Sequence, residues 1–277
     1  MIHNIEGRVA LVTGAARGQG RSHAVALAKE GVHVIATDAC AGIATVPYPM
    51  PGPADLQETA RLVEREGVRC LSRVCDVRDL AGMEEAVKGG VRYLGRLDIV
   101  CANAGIVSFG NGHELSDEAW TTMIDINLNG AWRTCRAALP HMLEAGNGGS
   151  VIITSSVAGL HAHGGLAHYI TAKHGLTGLT RALANELAAS RIRVNSVNPT
   201  QVDTPMIQNA AMYRLFLPGE PNPTREQFAA ASGSLIPMPV PWVEPSDVTD
   251  AVLFLASDAS KFITGAAIPV DGGALVG

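Results

Sequence analysis

Short runs of aliphatic and β-branched residues alternate along the chain with longer stretches whose apolar positions recur at helical spacing. The runs at 8–13, 33–38, 69–76, 98–103, 150–155, 193–198 and 267–270 are rich in apolar residues, the pattern of strands buried on both faces. Between them, 18–30, 55–66, 79–94, 117–144, 168–188 and 246–256 show the three- and four-residue spacing of helices that bury one side. Asp55, Asp79, Ser116 and Ser246 stand where helix N-caps are expected. Strand–helix alternation needs crossover connections, so the pattern predicts a doubly wound, seven-stranded parallel sheet with helices on both faces. No linker interrupts the rhythm, and residues 1–277 are therefore expected to form a single domain.

Two stretches break the pattern. Residues 39–53, with the run AGIATVPYPMPGP, hold too much proline and glycine for a helix interior and predict an unusually long link after the second strand. Residues 199–245 hold one short helical pattern, at 224–231, among apolar residues such as Met206, Met212, Phe216, Phe228 and Trp242. Long irregular segments in compact folds tend to be lids or binding loops, so this one is expected to cover a substrate.

Hydrophobic residues make up 47% of the chain and charged ones 17%, enough apolar material for a sheet covered on both faces. The net charge is −5 with lysine and arginine scattered, which leaves no electrostatic footprint for nucleic acid or an anionic membrane. Five cysteines without CxxC spacing are read as reduced thiols, and no HExxH or CxxC pair predicts a metal site. Without a basic-then-apolar leader or an apolar stretch of bilayer length, a cytoplasmic location is expected.

The first candidate site follows the first strand, in Thr13-Gly14-Ala15-Ala16-Arg17-Gly18-Gln19-Gly20. Gly14 suits a tight turn, while Gly18 and Gly20 let the backbone and helix N-terminus approach a pyrophosphate, whose charge the helix dipole favours. Asp38 ends the second strand about 20 residues on, where a carboxylate can accept from an adenosine ribose 2′-hydroxyl. It favours NAD over NADP, whose phosphate it would repel, although Arg17 is a residue type able to pair with that phosphate. Asp76-Val77 and Asn103-Ala104-Gly105 close the third and fourth strands, at the sheet edge where ligands bind.

Tyr169 and Lys173 lie one helical turn apart on one face, with Ser156 just after the fifth strand. A free tyrosine is a poor base at neutral pH, and a nearby ammonium is expected to lower its pKa into a useful range. Ser156 can donate to a substrate oxygen whose charge changes during hydride transfer. YxxxK alone is common on exposed helices, and its value here comes from its position after a dinucleotide-type turn.

The glycine turn at 13–20, Asn103–Gly105, Asn127 in MIDINLNG, Ser156 and YxxxK at 169–173 together resemble the short-chain dehydrogenase/reductase family over essentially the whole chain. The resemblance implies a Rossmann-type fold, hydride transfer between an alcohol carbon and nicotinamide, and Tyr169 taking the hydroxyl proton. It further implies that Asn127 holds a water in a proton relay from Lys173, and that Tyr169 and Lys173 also bind the nicotinamide ribose. Asn103 would support the adenosine side, Val202 and Thr204 would contact the carboxamide, and the assembly would be a homotetramer.

The insert ATDACAGIATVPYPMPGPADL, with VTGAARGQGRSHAVALA, NPTQVDTPMI and WVEPSDV, resembles more narrowly the carveol-dehydrogenase-like, mycofactocin-coupled branch. That likeness implies an NAD held tightly under the 39–53 insert and reoxidised in place by a redox partner. The apolar lid points to a hydrophobic secondary alcohol or its ketone, cyclic or terpenoid, although Arg214 and Arg225 leave an acid open. Two rivals stand beside this reading: an NADPH-dependent ketoreductase of acyl-carrier thioesters, which Asp38 opposes, and a non-catalytic NAD sensor, which the intact Ser156, Tyr169 and Lys173 oppose. His161, His163 and His168 could line the substrate mouth, and Cys101 reads as a small buried hydrophobe.

Overall fold

The computed structural model describes residues 4–276. Seven strands, β1 (Val9–Thr13), β2 (His33–Asp38), β3 (Cys70–Val74), β4 (Ile99–Ala102), β5 (Gly149–Thr154), β6 (Ile192–Pro199) and β7 (Ala267–Val270), form one sheet ordered β3-β2-β1-β4-β5-β6-β7. Every neighbouring pair is parallel. The winding reverses between β1 and β4, and the crevice this opens at the strands' carboxyl ends is the ligand position of such sheets.

The helices are α1 (Gly18–Lys29), α2 (Pro53–Arg65), α3 (Leu80–Leu94), α4 (Asp117–Ile124), α5 (Gly130–Ala145), α6 (Ala167–Leu187), α7 (Ala210–Phe216), α8 (Arg225–Gly233) and α9 (Pro245–Ala256). Strand alternation divides the core into two layers. Val9 and Leu11 of β1 point to a layer with Met83, Val87, Cys135 and Leu176 from α3, α5 and α6. Ala10 and Val12 point the other way, to Leu27, Val63 and Val252 from α1, α2 and α9. A third cluster, Tyr48, Val107, Ile207, Met212 and Phe228, lies beyond the sheet edge and joins the 39–53 insert to the lid.

Asp79 and Ser116 cap α3 and α4 as expected, accepting from the Gly82 and Ala119 N–H groups, each at 3.1 Å. The other two caps differ. Proline at the first helical position starts α2 at Pro53 and α9 at Pro245, so Asp55 lies inside its helix and accepts from the Gly52 N–H at 2.8 Å. Ser246 caps nothing, and Asp247 takes the Glu244 N–H at 2.7 Å in its place. The helix expected over 117–144 is interrupted by a π-helical turn at Asp125–Asn129, which holds Asn127. Helix α7 was not expected, although Asn209 caps it by accepting from the Ala211 and Met212 N–H groups at 3.1 and 3.0 Å.

Candidate active site

The glycine turn is held by close packing. Gly14 sits at φ 66°, and a Cβ there would come within 2.9 Å of the Ala104 Cα. A Cβ on Gly20 would collide with the Gly14 carbonyl. These absent side chains leave a groove lined by Gly14, Arg17, Gly18, Gln19, Gly20, Asp38, Asp76, Val77, Asn103, Ala104, Gly105 and Thr204. The fold thus brings twelve of the fifteen expected cofactor residues onto one wall.

Asp38 is anchored by backbone donors, taking the Ala16 N–H at 3.1 Å and the Cys40 N–H at 2.9 Å. Each carboxylate oxygen keeps acceptor capacity toward the groove. Asn103 braces the turn with its whole side chain: Nδ2 donates to the Thr13 carbonyl at 3.0 Å, and Oδ1 accepts from Thr154 Oγ1 at 3.2 Å. Asp76 is held by Arg78 at 2.7 Å; burial raises its pKa, but the Arg78 hydrogen bonds outweigh that and leave it lowered.

The insert closes over this groove through Ile43, Tyr48, Met50 and Pro51. Tyr48 is buried, accepts from the Val107 N–H at 3.2 Å, and lies 5.9 Å from the Arg17 guanidinium. Burial pushes its phenol up to about 12, against the pull of the Val107 hydrogen bond and Arg17. Sequence reasoning marked the insert but not Tyr48, its one aromatic residue.

Lys173, Ser156 and Tyr169 converge at the carboxyl end of β5. Lys173 is buried, and its Nζ donates to the Thr154 carbonyl at 2.8 Å and lies 5.6 Å from the Tyr169 ring centre. Ser156 Oγ accepts from the Ala158 N–H at 3.1 Å, donates to the Pro199 carbonyl at 3.4 Å, and lines the same cavity as Tyr169. Asn127 uses its side chain on Ile106, accepting from its N–H and donating to its carbonyl, both at 2.8 Å. A Cβ on Gly105 would lie 3.4 Å from Asn127 Oδ1 and 3.8 Å from Lys173 Nζ, so both groups flank one point.

The titration directions differ from the expectation. Burial pushes the Tyr169 phenol up, only partly opposed by the Ser156 hydrogen bond. Burial also brings Lys173 down to about 7. Desolvation disfavours the charged form of each group.

Beyond Tyr169 lies a second cavity of about 360 Å³, lined by Ser156, Tyr169 and Val202 together with Val107, Phe109, Leu166, Met206, Ile207, Met212, Leu215, Phe216 and Leu235. Met206, Ile207, Met212, Leu215, Phe216 and Leu235 of this lining come from the 199–245 segment. His163 lines it, with His161 edge-on at 4.9 Å between ring centres. His168 does not reach the mouth: it is buried, with Nε2 2.8 Å from Ser108 Oγ. Arg225 is not free for an acid, because it pairs with Asp203 at 2.7 Å and lies 4.9 Å from the Trp242 ring centre. Cys101 is buried, and burial pushes its thiol up to about 12.

A parallel sheet with a glycine turn at its switch point, an acidic residue ending β2 and a Ser–Tyr–Lys group beside an apolar cavity defines a nucleotide-dependent oxidoreductase class. The chain belongs to the short-chain dehydrogenase/reductase family. Residues 14–274 match the family described as Enoyl-(Acyl carrier protein) reductase. The chain is 52% identical to (-)-trans-carveol dehydrogenase of Rhodococcus erythropolis, covering 97% of this chain and 98% of that one. It is 48% identical to a putative short-chain type dehydrogenase/reductase of Mycolicibacterium smegmatis, covering 100% of both. Among solved structures, carveol dehydrogenase from Mycobacterium avium in complex with NAD is 50% identical with a TM-score of 0.98, covering 99% of this chain and 100% of that one. No helix among the described residues is long and apolar enough to cross a membrane.

Proposed function

We propose that this protein is an NAD-dependent alcohol dehydrogenase that interconverts a hydrophobic secondary alcohol and its ketone, with Tyr169 as the general acid/base. One observation carries the reading: Tyr169 and Ser156 lie together on the wall of an apolar cavity that meets a groove built of absent glycine side chains and Asp38. The glycine cradle and Asp38 fit a dinucleotide with a free ribose 2′-hydroxyl, and relatives in complex with NAD support that choice.

In the oxidative direction the substrate hydroxyl sits against Ser156 and Tyr169, and its proton passes to the Tyr169 oxygen as the carbinol hydrogen leaves as hydride. NAD supplies the hydride acceptor when bound. Ser156 donates to the substrate oxygen as its charge changes. Lys173, when charged, favours the phenolate form of Tyr169. Asn127 fixes Ile106 and the loop after β4 through its side chain, holding Gly105 beside Lys173. The 39–53 insert and the 199–245 lid are read as elaborations of one catalytic sheet.

The insert supports a slow exchange of NAD. Tyr48 shares its apolar cluster with Ile207, Met212 and Phe228 of the lid, so lifting the insert from the groove also opens the lid's core. Tyr169→Phe tests the main reading. It should lower turnover of a cyclic secondary alcohol by about 10²–10⁴-fold while NAD binding is retained. A variant with full activity would refute the mechanism.

A further inference from the structure

Between β4 and α4 the chain runs as a strap, residues 105–110, from the wall of the cofactor groove to the wall of the apolar cavity: Gly105 and Ile106 line the groove, Val107 and Phe109 the cavity. A segment outside any helix or strand has to be held by other partners, and its buried N–H groups need acceptors. Three ties of the strap come from the catalytic framework. Asn127 of the π-helical turn pairs with the Ile106 N–H and carbonyl, both at 2.8 Å. Ser108 Oγ lies 2.8 Å from His168 Nε2 on α6, and the Gly110 N–H donates to the Gly165 carbonyl at 2.9 Å. A further tie comes from the insert, where the buried Val107 N–H donates to the Tyr48 hydroxyl oxygen at 3.2 Å.

Tyr48 therefore serves two walls with two parts of one side chain. Its ring lines the cofactor groove, 5.9 Å from the Arg17 guanidinium, while its hydroxyl is engaged with a residue of the substrate cavity. The apolar cluster it shares with Val107, Ile207, Met212 and Phe228 would be filled as well by phenylalanine, and burying a hydroxyl there costs free energy unless it is paired. What the hydroxyl adds is its hold on Val107. Without it that buried N–H would lose its acceptor in apolar surroundings, and the strap would shift toward water or another partner. We propose that Tyr48 is a specificity-determining residue for the alcohol: its hydroxyl holds Val107 in the wall of the apolar cavity, so the insert that covers the cofactor also sets the width of the cavity. Tyr48 acts through Val107 and is a positioning residue, separate from the Ser156, Tyr169 and Lys173 group. The inference rests on the alcohol-dehydrogenase reading given above.

Tyr48→Phe keeps the ring over the groove and deletes the hydroxyl. The probes are cyclohexanol, which has an apolar body to lay against the wall, and 2-propanol, which has little. KM for cyclohexanol should rise about fivefold in the variant, while kcat, KM for 2-propanol and Kd for NAD+ change by less than about twofold. In a Val107→Ala background, where the wall is already cut back, deleting the hydroxyl should add little, so the two effects on KM for cyclohexanol should be non-additive. Amide hydrogen exchange over 105–110 reads the strap without turnover and should quicken at Val107 in Tyr48→Phe. An unchanged preference between the alcohols, an equal rise for both alcohols and NAD+, additive effects with Val107→Ala, or unchanged exchange at Val107 would overturn the proposal. A parent protein that binds NAD+ but oxidises neither alcohol would overturn the alcohol reading and the proposal with it, whereas a parent that oxidises both without a Tyr48-dependent preference overturns the proposal alone.

Discussion

Replacing Lys173 by methionine should make the protein more stable at pH 6 while removing its activity. The side chain is buried, and desolvation takes its pKa from the ordinary 10.5 to about 7. At 1.36 kcal/mol per pH unit, that fall corresponds to about 5 kcal/mol. The unfolded chain holds the lysine proton up to pH 10.5, the folded chain only up to about 7. Between those values unfolding takes up a proton, so stability is lost as the pH drops, and below about 7 the whole penalty is present. Methionine removes the charge and nearly preserves the length, but it leaves the Thr154 carbonyl without its 2.8 Å donor, a loss of about 1–2 kcal/mol. The net expectation is a gain of about 3 kcal/mol at pH 6 that shrinks steadily and vanishes before pH 10. Urea unfolding of both proteins at pH 6, 8 and 10, without added nucleotide, reads this directly. A variant less stable than the parent at pH 6, or a difference that does not change with pH, would refute the reasoning.

Three further expectations concern other parts of the site. Because burial holds the Tyr169 phenol above its ordinary range, alcohol oxidation should rise with pH from neutral into the alkaline range while ketone reduction stays level until the phenol loses its proton, as pH–rate profiles in both directions would reveal. His168→Leu breaks the buried 2.8 Å contact with Ser108 and should lower kcat with little change in NAD affinity, whereas His168→Gln, which can hydrogen-bond to Ser108 as donor or acceptor, should recover most of the rate. Phe228→Ala empties a fully buried position that stacks on Tyr213 and Trp242 at 4.8 and 5.8 Å. It should cost about 3–5 kcal/mol by thermal unfolding and raise KM for the alcohol more than for NAD.

The sheet was legible because a strand buried on both faces cannot hide its composition, and β2 and β7 fall where the apolar runs place them. Helix starts were less legible. Asp55 and Ser246 are good capping residues in the wrong place, since Pro53 and Pro245 fix the backbone of the first helical turn before any side chain can cap it. That Gly14, Gly18, Gly20 and Asp38 would line one groove could be read from spacing, because the strand ends set where they stand. The electrostatics could not. Whether Lys173 lowers the Tyr169 pKa depends on a 5.6 Å gap and on burial, and neither is encoded in a four-residue spacing. The position of Tyr48 between groove and lid was hidden for a similar reason: proline-rich segments carry no periodicity from which their fold can be read.

The polarity of the lid bears on the substrate. Asp203 accepts from Arg225 through Oδ2 and from Gln208 Nε2 through Oδ1, both at 2.7 Å, and Gln208 in turn accepts from the Tyr213 hydroxyl at 2.6 Å. This chain ties α7 and α8 to the 202–204 segment, whose Val202 and Thr204 line the apolar cavity. Asp203, Gln208, Tyr213 and Arg225 are thus engaged with one another, while Met206, Ile207, Met212 and Phe216 line the cavity. Arg214, the remaining candidate for an acid, is exposed and does not line the cavity. A carboxylate entering there would give up its hydration without gaining a cation, a cost of several kcal/mol. A neutral alcohol needs polar partners only at its hydroxyl, where Ser156 and Tyr169 stand, and the rest of its surface is better placed against the lid than in water. The arrangement therefore favours a substrate with one polar end and an apolar body, and disfavours the acidic one that Arg214 and Arg225 had left open.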